Sequence, residues 1–306
     1  RYRFHPQLWL CFYAQTYADK ELIVVDSGDG PSPFFKGKQG PDFKYVFVNE
    51  NLSVGEKRNL AIREYSTGES ILNFDDDDLY FPAYVQTAVK LLKSSKAALV
   101  HLNAWSVVDI EENFCGFFDR SQPLPSEAEA TAWGELCGFS MAYTYAAWRC
   151  ITWPPLTSGE DRHFLRGVAA AGMPVAARAE AARGTTVLHL QHGKNIGRSL
   201  CQKARTDTAA VTNLIQRFEE ACRRIIKLPQ SEYDQLGGSL LYQGLHNLSL
   251  AAEPPKAARG LFLAVSEDSR EDFQSWLGSE VGQHPQREVF VRQQLDRLRS
   301  QAAGEN

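Results

Sequence analysis

The stretch Gly68-Glu-Ser-Ile-Leu-Asn-Phe-Asp-Asp-Asp-Asp-Leu-Tyr-Phe-Pro82 decides how this chain is read. Ser70 to Phe74 is short and apolar, as a buried strand is, and it runs straight into aspartates at 75, 76, 77 and 78. On a solvated helix face four adjacent acids are unremarkable. At the C-terminal end of a buried strand they are costly, because like charges repel and desolvation raises their pKa values. A divalent cation offsets both costs, and carboxylate oxygens are the hard ligands that magnesium, manganese and calcium prefer. Ligand sites of open α/β sheets also lie outside the carboxyl ends of strands, where this cluster falls. The competing reading is an acidic turn leading into the helix after Pro82.

Outward from this stretch, strands and helices alternate. Upstream, Glu21-Leu-Ile-Val-Val-Asp26 is a continuous apolar run closed by an acid and the turn-forming SGDGPSP, the pattern of a parallel strand covered on both faces. Phe4, Leu8, Cys11 and Phe12 recur at helical spacing before it. A strand is expected at 45–48 and a helix at 55–65. Downstream, Val85, Ala88, Val89 and Leu92 mark one face of a helix, and 97–102 predicts a strand. A hairpin-like stretch at 105–118 and a polar loop at 121–132 follow. Then come a strand at 138–145, a helix at 159–171 and strands at 175–179 and 185–190. This spacing predicts an α/β sandwich with a largely parallel sheet flanked by helices. Beyond about 205 the apolar residues Val211, Leu214, Ile215, Phe218, Cys222 and Ile225 form a helical stripe. Residues 1–205 are therefore expected as one domain and 206–306 as a mostly helical C-terminal extension.

Composition narrows the function classes. The 306 residues carry 33 basic and 37 acidic side chains, a net charge of −4, which argues against a general nucleic-acid binder. No apolar run is long enough to span a bilayer; the densest, 138–156, is broken by polar residues and two prolines. Six scattered cysteines, at 11, 115, 137, 150, 201 and 222, form no C-x-x-C pair and read as reduced thiols, which points to a cytoplasmic protein.

Three further clusters could carry chemistry. In Gly55-Glu-Lys-Arg-Asn-Leu-Ala-Ile62 a basic pair follows a glycine at a helix start, where backbone N–H groups and a guanidinium can hold phosphate; the plainer reading is a solvated helix face. In Gly159-Glu-Asp161 two acids open a helix, where the dipole favours an ionised carboxylate with or without a function. His192, in the turn His189-Leu-Gln-His-Gly-Lys-Asn195, is a metal ligand or a surface histidine.

Taken in order, ELIVVDSG, GEKRNLAI, GESILNFDDDDLYFP, GED and HGKN resemble family 2 glycosyltransferases, which have the GT-A fold. The resemblance covers about residues 1–200 and implies a site. Asp26 would contact the nucleobase of a sugar nucleotide, with Arg58 near the nucleotide. Asp75 and Asp76 would face the ribose. Gly28, Asn59 and Glu160 complete the substrate-binding set. Asp77 and His192 would hold a divalent cation, manganese or magnesium, and Asp161 would be the general base of an inverting transfer. The partners implied are a nucleotide-sugar donor and an acceptor of unstated identity. The family's usual first strand is expected to be missing, because the chain starts in the helix that this strand would feed. The processive Q-x-x-R-W motif is absent. Two other readings share the fold and the acidic motif: a nucleotidyltransferase that makes sugar nucleotides, and a binding module without turnover.

Overall fold

The computed structural model describes residues 4–109, 114–120, 137–179, 186–192, 195, 203–205, 216–218 and 220–222. All of them lie within the compact unit Arg1–Ala258. Most of the expected C-terminal extension falls outside them; the described residues between 216 and 222 are helical.

The chain opens with α1 (His5–Tyr13), started by Pro6 in its first turn, and continues through β1 (Leu22–Asp26) and β2 (Phe43–Phe47). Helix α2 (Val54–Tyr65) starts at a capping box: the Ser53 hydroxyl accepts from the Glu56 N–H, and the Glu56 carboxylate accepts from the Ser53 N–H. Strand β3 (Ser70–Leu72) leads into the aspartates, and β4 (Leu79–Tyr80) leaves them. Then come α3 (Tyr84–Ser95), the long β5 (Leu99–Asp109) and β6 (Phe114–Asp119). A single 3₁₀ turn at Gly138–Ser140 precedes β7 (Ala142–Thr144), α4 (Tyr145–Cys150) and α5 (Glu160–Ala170). Strands β8 (Val175–Ala179), β9 (Val187–Gln191) and β10 (Lys203–Arg205) complete the described elements. The stretch expected as one strand at 138–145 is thus a turn, a three-residue strand and the start of a helix.

The α/β class holds, but strand pairing is mixed rather than largely parallel. Strand β5 is the spine. Its first half lies between β7, antiparallel, and β8, parallel; past an irregularity at Leu102–Ala104 its second half lies between β6, antiparallel, and β9, parallel. The link from β5 to β6 spans only 110–113, too short for the crossover that a parallel pair needs, so the two form a hairpin. Strands β1 and β2 make a separate parallel pair.

The split has a visible result. Among the described residues, the backbone hydrogen bonds of β1 run toward the β2 side, and those of β3 toward β7. The other edges of β1 and β3 both border one cleft of about 1100 Å³, between α2 on one side and α3 on the other. The apolar run of β1 was expected to be fully covered, yet Ile23, Val24 and Val25 are only half-buried for this reason. Beneath the cleft the core is aromatic: Trp153 stacks on Phe164 at 4.2 Å, and Trp105, Tyr143 and Tyr80 are fully buried.

Candidate active site

The four aspartates do not act as one cluster. Asp75, Asp76 and Asp77 line the cleft. Asp78 turns inward and is fully buried; its carboxylate accepts from the Leu190 N–H at 3.0 Å and lies 2.9 Å from His189 Nδ1. The loop is fixed by Tyr80, whose hydroxyl accepts from the Asp75 N–H and donates to the Phe139 carbonyl, while its ring stacks on Phe74. Asp75, Asp77 and Asp78 each have an oxygen within 4.8 Å of the others. Asp77 Oδ2 and His192 Nε2 are 3.1 Å apart. Two ligands bound at ~2.1 Å and at a right angle around one ion lie about 3 Å apart, so this pair fits a shared cation as well as it fits a hydrogen bond. The other ring nitrogen, His192 Nδ1, is buried with no hydrogen-bond partner among the described residues.

The opposite wall is the start of α5. Gly159 precedes it at φ +75°, a left-handed conformation that suits glycine, and Glu160 and Asp161 form the first turn. Asp161 accepts from the Gly138 N–H at 3.0 Å through Oδ2 and from the Arg162 N–H at 2.8 Å through Oδ1. A Cβ on Gly138 would meet Asp161 Cβ at 3.0 Å, so the bare backbone is what allows this approach. The sequence suggested that the helix dipole keeps Asp161 ionised. Burial outweighs it and pushes the Asp161 carboxyl up. Glu160 rises to about 7, because burial and the neighbouring Asp161 outweigh Arg58.

Arg58 joins the two walls. Its guanidinium lies 2.7 Å from Glu160 Oε1 and 3.6 Å from Asp75 Oδ1, over the Trp153 ring at 4.5 Å. It is turned into the protein rather than out on a solvated face, with its side chain 16% exposed. Lys57 reaches the Ser27 hydroxyl at 3.3 Å on the cleft side.

At the far end, Asp26 closes β1. Its carboxylate accepts from the Gly28 N–H and from the Tyr45 hydroxyl at 2.7 Å, and Tyr45 in turn accepts from the Ser32 N–H. Asp26 and Gly28 both border the cleft.

The structure therefore brings Asp26, Gly28, Arg58, Asp75, Asp76, Asp77, Glu160 and Asp161 to one cleft, with His192 against Asp77. Asn59 stands apart. Its amide is committed to the Trp153 backbone and the Trp148 indole N–H, so it holds the platform under Arg58 and is not among the residues lining the cleft. Sequence reasoning missed Asp78, His189, Tyr45 and Gly138. Only the first two carried a signal, as members of the acidic run and of the His189–Asn195 turn.

Residues 6–114 match the profile of glycosyl transferase family 2. No curated protein matches the chain at a significant level. Similar solved structures include residues 1–349 of TarS from S. aureus, at 14% identity and a TM-score of 0.45, covering 90% of this chain and 75% of that one. The same protein in complex with UDP-GlcNAc aligns at 14% identity and a TM-score of 0.46, covering 90% and 77%. No helix among the described residues is long and apolar enough to cross a membrane. The family match spans β1, α2 and the acidic loop, which hold Asp26, Arg58 and Asp75–Asp77. That match makes residues 6–114, which carry Asp26, Arg58 and the acidic loop, a family 2 glycosyl transferase segment.

Proposed function

We propose that this chain moves a sugar from a nucleoside-diphosphate donor to an acceptor hydroxyl, with inversion at the anomeric carbon. One observation carries the reading: Arg58 touches both the acidic loop and the Glu160–Asp161 turn, so the two stand across one cleft within the span of a guanidinium. Asp26 and Gly28 lie where the nucleobase would sit, with Asp26 oriented by Tyr45. Asp75 and Asp76 would contact the ribose. Asp77 and His192, with Asp75, would hold a divalent cation, whose charge offsets the negative charge that develops on the leaving diphosphate. The carboxylate and imidazole donor set suits magnesium or manganese.

Asp161 is the base. In the proposed step it takes the acceptor's hydroxyl proton while that oxygen bonds the anomeric carbon from the face opposite the leaving group. The bond from that carbon to the diphosphate oxygen breaks, and the nucleoside diphosphate leaves with the electron pair. A carboxyl pushed up by burial is a stronger base than a solvent-exposed aspartate, and the Gly138 and Arg162 N–H groups fix where its oxygens point. Without a base in that position the same cleft would serve a nucleotidyltransferase equally well.

The test is calorimetric titration with UDP, GDP and ADP, each with manganese and with EDTA. One nucleotide is expected to bind in manganese only, and Asp77→Asn is expected to abolish that binding with an unchanged circular dichroism spectrum. Equal affinity in EDTA overturns the metal-dependent reading.

A further inference from the structure

A metal-binding histidine is ordinarily held by a hydrogen bond from its second ring nitrogen to a carboxylate or carbonyl, which sets the ring's orientation. His192 lacks one, since its Nδ1 is buried without a partner among the described residues. Among the described residues its side chain is held by the Phe4 ring, 4.7 Å away between centroids, and by the backbone that carries it. That backbone is the end of β9, and the fixings on it converge there. Asp78 accepts from the Leu190 N–H and lies 2.9 Å from His189 Nδ1, so one carboxylate grips two consecutive residues of β9. His189 is held a second time by stacking on Phe139, at 4.6 Å between centroids and 19° between planes. Its Nε2 lies 2.8 Å from the Gln191 amide nitrogen. Asn195 closes the turn, accepting from the His192 N–H and donating to the Leu190 carbonyl. Asp78 follows Asp77 directly in the chain. The residue that anchors β9 is therefore covalently next to the residue that His192 faces.

We infer that Asp78 and His189 are positioning residues for the Asp77–His192 pair. They fasten the acidic loop to β9 and so fix the 3.1 Å approach of Asp77 Oδ2 to His192 Nε2, a task that elsewhere falls to a hydrogen bond on the histidine itself. The Asp78 oxygens are buried and directed to β9, and His189, which borders the cleft, has both ring nitrogens engaged by Asp78 and Gln191. Three of the four adjacent aspartates thus face the cleft, and the fourth serves them from behind. The inference rests on the reading that Asp77 and His192 share a cation.

Manganese affinity of the full chain, measured by electron paramagnetic resonance without nucleotide, tests it. The parent, Asp78→Asn, His192→Ala and the double variant are compared, with circular dichroism and urea melts recorded on each. Asp78→Asn is expected to weaken manganese binding by about 10–100-fold, the usual cost of removing an outer partner of a metal ligand. In the His192→Ala background the same change is expected to cost much less, because its effect passes through His192. Equal loss in both backgrounds shows general damage to the loop and overturns the inference. Unchanged affinity in Asp78→Asn, with a parent that binds manganese and a His192→Ala variant that binds it less well, overturns the inference and leaves the metal reading standing. A parent that binds no manganese removes both. Should Asp78→Asn not fold cooperatively, His189→Gln replaces it with the same expected losses, since it keeps the Asp78 bond to the Leu190 N–H.

Discussion

Glu160→Gln should change how stability depends on pH. The Glu160 side chain is 9% exposed, pairs with Arg58 at 2.7 Å and adjoins Asp161. Burial, reinforced by Asp161 and opposed by Arg58, lifts its carboxyl from 4.5 to about 7. Between those values the folded chain holds a proton that the unfolded chain has released, so raising the pH pulls the equilibrium toward the unfolded state. The raised pKa thus costs nothing below about 4.5 and its full amount above about 7. At about 1.4 kcal/mol per pKa unit, the full cost is on the order of 3 kcal/mol. Glutamine cannot titrate, and its amide oxygen can still accept from Arg58, which also keeps Asp75 as a partner. Urea melts of parent and variant between about pH 5 and pH 8 should therefore diverge, with the variant gaining on the parent as pH rises. Parallel profiles would refute the reasoning: Glu160 would then be an ordinary ion-paired carboxylate.

Asp161→Asn keeps an oxygen for the Gly138 N–H and should leave nucleotide affinity unchanged while lowering sugar transfer by roughly 10²–10⁴-fold, the usual contribution of a general base; transfer at the parent rate removes Asp161 from that role. Gly55→Ala would drive a Cβ into the Pro154 carbonyl at the start of α2, so urea melts should show a loss of about 1–3 kcal/mol, with nucleotide affinity falling as Arg58 shifts. An unchanged melt would mean that the segment after Trp153 moves aside freely.

Much of this site was legible because its residues announce themselves by cost. Acids at the end of an apolar strand are a placement that folding alone does not favour, and they proved to border the cleft, as did the acids opening a helix after glycine, which the dipole favours with or without a function. The fold was legible for the same kind of reason wherever a run had one period. Gly138–Tyr145 had none: eight mostly apolar and small residues carry a turn, a strand and a helix start, and long-range bonds, among them those to Asn73, Asp161 and Glu69, decide where each begins. The inward turn of Asp78 was illegible because its partners lie more than a hundred positions away. Asn59 misled for the opposite reason. It sits beside Arg58 in sequence, but one step along a helix turns a side chain by about 100°, which carries it from the cleft to the tryptophans.

Among the described residues no strand pairs with the cleft-side edges of β1 and β3, and this bears on how the molecule behaves at high concentration. An uncovered strand edge offers a row of N–H and C=O groups to any extended polypeptide, and folded proteins commonly guard such edges with lysine, proline or a bulge. Along β1 the side chains are Leu22, Ile23, Val24, Val25 and Asp26, one acid at the end and no lysine or proline among them. Two molecules can satisfy one another's edges by exchanging strands across this gap, which favours self-association and, in the unfolded or partly opened chain, aggregation. Whatever polypeptide lies along these edges competes with that association, which would draw on the same cleft as the nucleotide.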